Sequence, residues 1–308
     1  MASLLTLEEA QERVLGLARP LPAEVVPIAE ADGRVSAEDV RAQVDLPPFA
    51  SSAMDGFALR ASDAPGTLRV VGESAAGQPF ETGVELGCAV AISTGAVVPE
   101  ETDAVVPIED VVQQDNGVEV VQSVEPGAHV RPRGGDVATG EIVVPAGMRL
   151  TPARLAAAGA SGVAELPCAR RPSVAVLATG SELVDPGEAL RPGQIYETNG
   201  LMLSSALTSA GAEVLPEPPV ADDQQALRKA LERGLAADVL VTSGGVSVGE
   251  HDLVRAAARE LGVEEVFWRV SIKPGKPVSF GVRGCRADDH VRLLAGDRLE
   301  HERVSVHP

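Results

Sequence analysis

The chain has 308 residues, of which 44% are hydrophobic, 23% are charged and only 2% are aromatic. This length favours two or three domains, and the composition is typical of a soluble globular protein whose cores consist of aliphatic side chains. The formal net charge of -19 at pH 7 argues against nucleic-acid binding, because phosphate backbones would repel the protein.

The sequence pattern shows neither a targeting signal nor a membrane span. Residues 1–19 lack a basic region followed by an apolar block, and no apolar run reaches the roughly 18 residues that span a bilayer. The cysteines Cys88, Cys168 and Cys285 lie far apart, without the spacing of metal ligands. We therefore predict a cytoplasmic protein with buried or incidental thiols and no membrane partner.

The amino-terminal 170 residues contain few helix signals and many short strand signals. Thr6 and Glu9 form a capping box that begins a helix, and Thr151 followed by Pro152 begins another that reaches about residue 160. Short β-branched runs, separated by glycine and proline, fill residues 68–145. This pattern predicts a β-rich region.

Polar loops of this part lie at residues 45–58, 92–96 and 131–136. The first is too rich in proline and serine for a regular element, so we predict an extended loop that presents Ser51, Ser52 and Asp55. The second loop, residues 92–96, is predicted to be the end of a strand with a hydroxyl group at a turn. The third holds two arginines and an aspartate. An ordinary Asp-Gly turn and an internal salt bridge are the alternatives to a binding role for the first and third loops.

Strand and helix patterns alternate after residue 171. Strands are predicted at residues 173–178 and 213–215, at the start of the stretch 237–252, and at residues 263–270. Helices between them are predicted to start at Thr198 or Asn199, at Asp222, and at the carboxylates Glu250 and Asp252, which end the loop after the third strand. This alternation indicates a doubly wound α/β sheet with helices on both faces. Ligands of such sheets bind outside the carboxyl ends of the strands.

The stretch 237–252 joins an apolar strand, a loop of small residues and a helix start. The loop contains Gly244, Gly245, Ser247 and Gly249. Backbone N–H groups in such a loop bind phosphate, and glycine lets the phosphate approach closely. Glu250 and Asp252 beside it indicate a divalent metal that neutralises the phosphate. An ordinary strand-to-helix loop is the alternative.

Polar groups collect at the predicted strand ends, namely Ser181, Glu182, Asn199, Asp222, Ser243, Glu250, Asp252, Lys273 and Lys276. Carboxylates, lysines and a loop of small residues suit a phosphorylated or nucleotide-linked substrate held through Mg²⁺. The lysines then act as point charges on oxyanions. A lysine–glutamate surface patch is the alternative for Lys273 and Lys276.

These motifs resemble those of a known family. The segments concerned are Thr179-Gly180-Ser181-Glu182-Leu183, residues 243–250 with Asp252, and Lys273-Pro274-Gly275-Lys276-Pro277. They are similar to segments of the molybdopterin molybdenumtransferases, or MoeA family, which is related to the carboxyl-terminal domain of gephyrin. Upstream segments resemble the amino-terminal region of that family in the same order; they are residues 47–58, 93–99 and 131–136.

The resemblance implies an enzyme that inserts molybdate into adenylylated molybdopterin, with release of AMP in a Mg²⁺-dependent step. It implies catalytic roles for Asp252, Asp222 and Glu182, with Glu182, Glu250 and Asp252 as metal ligands. Substrate and nucleotide would bind at Thr179, Gly180, Ser181, Ser243, Gly244, Gly245, Ser247 and Gly249, and molybdate at Lys273 and Lys276. The partner subunit of an elongated homodimer would contribute Asp55, Thr94 and Asp136. A molybdopterin adenylyltransferase would be the upstream partner.

The implied fold is a doubly wound, MoCF-type molybdopterin-binding domain at residues 171–284, preceded by an elongated β-rich region. We expect a helical linker domain from residues 1–26 and 140–170, and a β-rich domain from residues 27–139. Residues 285–308 are charge-rich, lack the family's Gly-Leu-Pro-Gly-Asn-Pro loop and fit no missing strand. This divergent tail predicts a frame shift or truncation that would impair activity.

Two other classes of function remain open. One is a different enzyme on the same nucleotide-binding fold, such as the molybdopterin adenylyltransferase or a CinA-like nucleotide hydrolase. The other is a non-catalytic dimeric scaffold of gephyrin type, or a relic that binds without turnover. The first 170 residues argue against the isolated adenylyltransferase, which would not need them.

Overall fold

The computed structural model describes residues 4–244, 253–272 and 277–284 in full, and the backbone of residues 291–296. The chain forms two compact units. One is Val25–Cys168, and the other combines Met1–Glu24 with Ala169–Pro308. We call them the β unit and the α/β unit. Within the described part of the chain, no helix is both long and apolar enough to cross a bilayer.

The α-helices are α1 (Leu7–Gly16), α2 (Pro152–Ala160), α3 (Asn199–Ser209), α4 (Gln224–Gly234) and α5 (Leu253–Glu260). Short 3₁₀ helices occupy Ile28–Glu30, Ala61–Asp63 and Ile108–Asp110. The predicted capping box of α1 is confirmed, because Thr6 and Glu9 each bond the other's backbone N–H. The predicted start of α2 is confirmed as well, since Thr151 Oγ1 accepts from the backbone N–H of Arg154.

The strands up to residue 169 are β1 (Ala23–Pro27), β2 (Val40–Arg41), β3 (Ser51–Ser52), β4 (Gly56–Leu59), β5 (Gly66–Ser74), β6 (Cys88–Ile92), β7 (Ala104–Pro107), β8 (Val111–Gln114), β9 (Gly117–Val120), β10 (Val130–Arg131), β11 (Ile142–Val144) and β12 (Glu165–Ala169). Six of them form one sheet in the order β7-β4-β6-β5-β9-β8. Its core includes the buried side chains of Phe57, Leu59 and Leu68. The predicted β-rich region is therefore confirmed.

A second core of the β unit surrounds α2. It contains Val144, Leu150, Ala158 and Leu166, with residues from the segment after β1. Pro152 at the first turn of α2 costs no hydrogen bond, because that N–H has no partner within a helix. The expected division of this unit into a linker domain and a β-rich domain stays a prediction.

The predicted extended loop at residues 45–58 is partly wrong. Ser51 and Ser52 are only 3% and 1% exposed, because they form β3 and pair with Val130 and Arg131 of β10. This pairing is non-local, so a composition rich in proline and serine did not indicate it. Asp55 is exposed, as predicted.

The strands of the α/β unit are β13 (Ser173–Ala178), β14 (Leu183–Val184), β15 (Ile195–Tyr196), β16 (Glu213–Pro216), β17 (Val239–Ser243), β18 (Glu264–Trp268), β19 (Val278–Arg283) and β20 (Val291–Gly296). The main sheet has the order β16-β13-β17-β20-β19-β18. The first four strands are parallel to one another, and β19 is antiparallel to both of its neighbours.

Side chains of the parallel strands alternate between two helix layers. Ala175 and Leu177 pack against α4 and α5, whereas Val174 and Val176 pack against the α3 side. Strands buried on both faces need apolar residues at successive positions, and β13 has them from Val174 onward. The doubly wound α/β fold is therefore confirmed.

Two further predictions need correction. Asp223, not Asp222, caps α4, since its carboxylate accepts from the N–H of Ala226 at 2.7 Å. Residues 291–296, predicted to contain no strand, form β20 between β17 and β19. The apolar run of this strand is short and lies among charged residues, so the sequence pattern did not predict it. Its place in the sheet depends on pairing with strands that are distant in sequence.

Candidate functional site

The connections of the parallel sheet identify its ligand-binding edge. From β13 the chain passes through α3 to β16 on one side, and then through α4 to β17 on the other side of β13. The connection that leaves β13 and the connection that leaves β16 therefore run in opposite directions along the sheet, which makes a topological switch point between β13 and β17. Such a point opens a crevice at the carboxyl ends of the two strands, where doubly wound folds bind ligands.

The loops that follow β13 and β17 meet at this edge. The N–H of Thr179 donates to the carbonyl oxygen of Ser243 at 2.9 Å. Gly244 has φ +94, and a Cβ atom there would lie 2.5 Å from the carbonyl oxygen of Thr179. Only glycine allows so close an approach in this conformation. The structure thus brings together the predicted nucleotide-binding residues Thr179, Gly180, Ser243 and Gly244.

Asp222 and Ser181 extend the same edge. The N–H of Asp222 donates to Ser181 Oγ at 3.0 Å, and the N–H of Ser181 faces Asp222 Oδ2 at 3.4 Å. Thr179 also forms a parallel bridge with Val220, so the loop after β16 joins the loop after β13. Asp222 therefore belongs to the strand-end loops, and not to the cap of α4.

Ser243 is oriented by a residue of α3. The side-chain amide of Asn199 donates to Ser243 Oγ at 3.0 Å, although Asn199 is itself the first residue of the helix. The sequence placed Asn199 among the polar groups at the strand ends but did not reveal this partner. Because the amide donates, the hydroxyl of Ser243 keeps its own proton for another acceptor.

Glu182 is exposed and lies against its own loop. A Cβ atom on Gly180 would stand 2.7 Å from Glu182 Oε2, so the carboxylate rests over that glycine. Among the residues that the structure describes, no three histidine, cysteine, aspartate or glutamate side chains form a metal-binding group. Several predicted site residues lie outside the described residues, namely Gly245, Ser247, Gly249, Glu250, Asp252, Lys273 and Lys276.

A cleft of about 520 Å³ adjoins the strand-end loops on the α3 side of the sheet. Its walls are Val176 and Ala178 of β13, the first turns of α3, and the proline-rich segment Pro216–Pro219, and Asp185, Glu197 and Glu217 supply carboxylates. The residues that line this cleft are not among the predicted site residues. The run Pro216-Glu217-Pro218-Pro219 at the end of β16 was the available signal, because such a run cannot continue a strand.

Asp55 and Thr94 of the β unit are in direct contact. The N–H and the hydroxyl of Thr94 both donate to Asp55 Oδ1, at 2.7 and 3.0 Å. These hydrogen bonds, the backbone one first, lower the pKa of Asp55 below its ordinary value. The two residues that we predicted to act together are therefore neighbours within the β unit.

Asp136 forms the internal salt bridge that was the alternative to a binding role for residues 131–136. Its carboxylate pairs with Arg131. Asp45 anchors the same loop from outside, because it accepts from the N–H and hydroxyl of Thr139 and from Arg133 Nε. These bonds, led by the Thr139 N–H, lower the pKa of Asp45 to about 2.

Comparisons with known proteins agree over most of the chain. Residues 5–162 match the family model of the MoeA N-terminal region (domain I and II), and residues 175–304 match that of a probable molybdopterin binding domain. The chain is 40% identical over 283 residues to the molybdopterin molybdenumtransferase of Haemophilus influenzae, covering 90% of this chain and 70% of that protein.

Two more relatives have the same relationship. Molybdopterin molybdenumtransferase 2 of Mycobacterium tuberculosis is 40% identical over 294 residues, covering 90% of this chain and 71% of that protein. Among solved structures, a molybdopterin biosynthesis MoeA protein of Pyrococcus horikoshii superposes with a TM-score of 0.78 at 35% identity, covering 95% of this chain and 75% of that one.

Proposed function

Because this chain belongs to the molybdopterin molybdenumtransferase family, we propose that it inserts molybdate into adenylylated molybdopterin and releases AMP. The reaction is a step of molybdenum cofactor biosynthesis. An isolated adenylyltransferase or a CinA-like nucleotide hydrolase is not favoured, because residues 5–162 match the amino-terminal region of the MoeA family.

The observation that carries the proposal is the junction of the loops after β13 and β17 at the switch point. Thr179 and Ser243 are joined there by a backbone hydrogen bond of 2.9 Å. The edge offers the hydroxyls of Ser181 and Ser243 and the glycine backbone at Gly180 and Gly244. Hydroxyls and open backbone are the groups that bind phosphate oxygens without charge repulsion. This composition supports binding of the phosphoanhydride of an adenylylated substrate.

The carboxylates of this edge have the donor chemistry that Mg²⁺ requires. Mg²⁺ binds carboxylate oxygens together with substrate phosphates. We propose Glu182, with Glu250 and Asp252 from outside the described residues, as its ligands. A bound Mg²⁺ would neutralise charge on the phosphoanhydride. Asp222 is bonded to Ser181, so its role in the proposal is to hold that hydroxyl toward the substrate.

Molybdate is a tetrahedral dianion and requires positive charge. We propose that Lys273 and Lys276 supply it, since lysine binds oxyanions as a point charge. We further propose that the chain is a homodimer in which Asp55, Thr94 and Asp136 serve the partner's cleft. A molybdopterin adenylyltransferase would deliver the adenylylated substrate.

AMP release from adenylylated molybdopterin tests the proposal directly. The assay contains molybdate with Mg²⁺ or with EDTA, and it compares the unaltered chain with Glu182→Ala and Asp252→Ala. Glu188→Ala, an exposed glutamate of the same loop region, is the control. We expect Mg²⁺-dependent release that both site variants lose and the control keeps. Binding of the substrate without any release of AMP would instead indicate a non-catalytic scaffold.

A further inference from the structure

Arg269 lies at the ligand-binding edge of the α/β unit, in the same row across the sheet as Ser243. Because β19 is antiparallel to both β18 and β20, and β20 is parallel to β17, β18 ends at the same edge as β17. In this row Ser243 pairs with Gly296, and Gly296 pairs with Val278. The N–H of Arg269 donates to the carbonyl oxygen of Val278 at 2.8 Å. Three strand spacings of about 4.8 Å each therefore separate Arg269 from Ser243, which is roughly 14 Å.

The guanidinium of Arg269 lies over the ring of Trp268, the single tryptophan of the chain. Its Cζ atom is 3.9 Å from the centroid of the ring, within the range of a cation–π interaction. Arg269 has φ +73, a backbone conformation that is uncommon for residues other than glycine. A guanidinium has five N–H donors, and contact with a ring face leaves donors for a ligand.

The two arginines that contact Trp268 differ in their charge partners. Arg255 also lies 3.9 Å from the centroid of the ring. Glu265 neutralises it, because Oε2 accepts from Nε at 2.7 Å and Oε1 accepts from Nη2 at 3.0 Å. Within the part of the chain that the structure describes, no carboxylate forms an ion pair with Arg269. Arg269 is therefore a positive charge without a counter-ion, in a chain whose formal net charge is -19.

An oxyanion is the class of ligand that this group fits. A guanidinium can donate in parallel to two oxygens of a carboxylate, a phosphate or a similar anion. The phosphoanhydride of the substrate is proposed to bind at Ser243, whereas the guanidinium of Arg269 lies over a residue of β18, three strands away. A second anion therefore fits Arg269 better than that phosphate does. Molybdate is the other anionic substrate of the proposed reaction.

We propose that Arg269 binds molybdate at the ligand-binding edge and that Trp268 positions its guanidinium. The proposal rests on the proposed function for the identity of the oxyanion, but it concerns a residue outside the lysine pair. Two N–H donors of Arg269 bind two oxygens of the dianion and so fix its orientation. A lysine acts as a point charge and does not fix orientation in this way. Arg269 thus adds direction to the charge that Lys273 and Lys276 are proposed to supply.

Titration of the full chain with molybdate tests the proposal through two readouts. Isothermal titration calorimetry measures the affinity, and the fluorescence of Trp268 reports events at Arg269, because the chain has no other tryptophan. Free N-acetyltryptophanamide corrects the fluorescence for light that molybdate absorbs. Sodium chloride holds the ionic strength constant, so that general charge screening does not change. Thermal unfolding and AMP affinity are measured for every variant.

Three variants separate charge from geometry. Arg269→Gln removes the charge, and Arg269→Lys keeps the charge but loses the paired donors. Arg259→Gln is the matched control, because it removes an arginine of α5 whose side chain is 59% exposed and which pairs with Glu265. It changes the net charge of the chain by the same amount as Arg269→Gln does.

We expect Arg269→Gln to weaken molybdate binding by more than tenfold, because hydrogen bonds between charged groups are lost, and to abolish the fluorescence change. The affinity of Arg269→Lys should lie between those of Arg269→Gln and the unaltered chain. Arg259→Gln should bind molybdate as the unaltered chain does, and AMP affinity should stay constant in every variant.

Several results would overturn the proposal. They are the absence of saturable molybdate binding to the unaltered chain, equal weakening in Arg269→Gln and Arg259→Gln, and weaker binding of AMP to Arg269→Gln. A fluorescence change with AMP as large as that with molybdate would also overturn it, because Arg269 would then contact the phosphate of the nucleotide.

The outcome is separable from that of the AMP-release assay. Molybdate binding that Arg269→Gln weakens, in a chain that releases no AMP, supports the role of Arg269 and removes the proposed function. AMP release by the Arg269→Gln variant with an unchanged KM for molybdate keeps the proposed function and overturns the role of Arg269.

Discussion

The side-chain amide of Asn199 donates a hydrogen bond of 3.0 Å to Ser243 Oγ, and so joins the first residue of α3 to the last residue of β17. Ser243 is buried at the switch point. Because Asn199 occupies an oxygen lone pair, the hydroxyl proton is directed elsewhere. Asn199 would therefore position Ser243 for the phosphate that the loops after β13 and β17 are proposed to bind.

Asn199→Ala should weaken AMP binding by about fivefold, because a neutral hydrogen bond contributes about 1 kcal/mol. Isothermal titration of AMP measures this change. Ser205→Ala, at an exposed position of the same helix, is the control and should bind AMP normally. An unchanged affinity in Asn199→Ala, with the fold intact by circular dichroism, would remove Asn199 from the site.

Gly244→Ala should disrupt the junction of the loops after β13 and β17, because the substitution strains the backbone. At φ +94 an alanine is strained, and its Cβ would lie 2.5 Å from the carbonyl oxygen of Thr179. Strain of this kind costs about 1–3 kcal/mol. We expect a lower melting temperature and a loss of AMP binding, both measured on the purified variant.

Gly193→Ala separates the effect of backbone strain from the effect of the contact with Thr179. Gly193 also has a positive φ, of +87, but a Cβ there would meet no atom within 4 Å. We expect this variant to lose some stability and to keep its AMP affinity. Equal loss of AMP affinity in both glycine variants would show that general destabilisation, and not the contact with Thr179, explains the result.

The segments that the sequence predicted best are those with local causes. The capping box of Thr6 and Glu9 and the start of α2 at Thr151 depend on residues three positions apart, and both are confirmed. The doubly wound sheet followed from alternating apolar patterns, which helix and strand geometry impose directly. The meeting of the loops at Thr179 and Ser243 followed in turn from the carboxyl ends of parallel strands.

The errors arose where a distant partner decides the structure. Asp222 and Asp223 are equally good caps by sequence, and the contact of Asp222 with Ser181 settles which of them is free to cap α4. Ser51 is buried because it pairs with β10, far along the chain. Likewise, β20 is recognisable only through its pairing with β17 and β19.

Asp238 should make the stability of the α/β unit depend on acidic pH. Arg170 donates two hydrogen bonds to its carboxylate, and Ser173 donates two more. These bonds, those from Arg170 first, lower the pKa of Asp238 from 3.8 to about 2. A folded-state pKa below the unfolded value stabilises the fold above about pH 4, and this contribution is lost as pH falls towards 2.

The contribution of Asp238 should be about 2 kcal/mol at neutral pH. Urea unfolding at pH 7, pH 4 and pH 2 measures it. Asp238→Asn should lower the free energy of unfolding at pH 7 and should lose less stability than the unaltered chain between pH 4 and pH 2. Glu232→Gln, an exposed change on α4, is the control. Parallel pH curves for Asp238→Asn and the unaltered chain would contradict the prediction.

Thr94 sets the ionisation of Asp55 through two bonds that substitution can separate. Thr94→Val removes the hydroxyl bond to Asp55 Oδ1 and keeps the N–H bond, which is the larger cause of the lowered pKa. The pKa of Asp55 should therefore rise yet stay below its ordinary value. Carbon-13 NMR titration of the carboxyl group measures the change directly.

Thr94→Ser is the matched control for this prediction, because it keeps a hydroxyl that donates to Asp55, and it should titrate as the unaltered chain does. If Asp55 serves the reaction as a carboxylate, the acid limb of AMP release must move to higher pH in Thr94→Val, in the same direction as the pKa. A shifted pKa with an unmoved acid limb would assign Asp55 to the β unit's structure alone. Identical titration of the valine and serine variants would mean that the backbone N–H of Thr94 alone lowers the pKa.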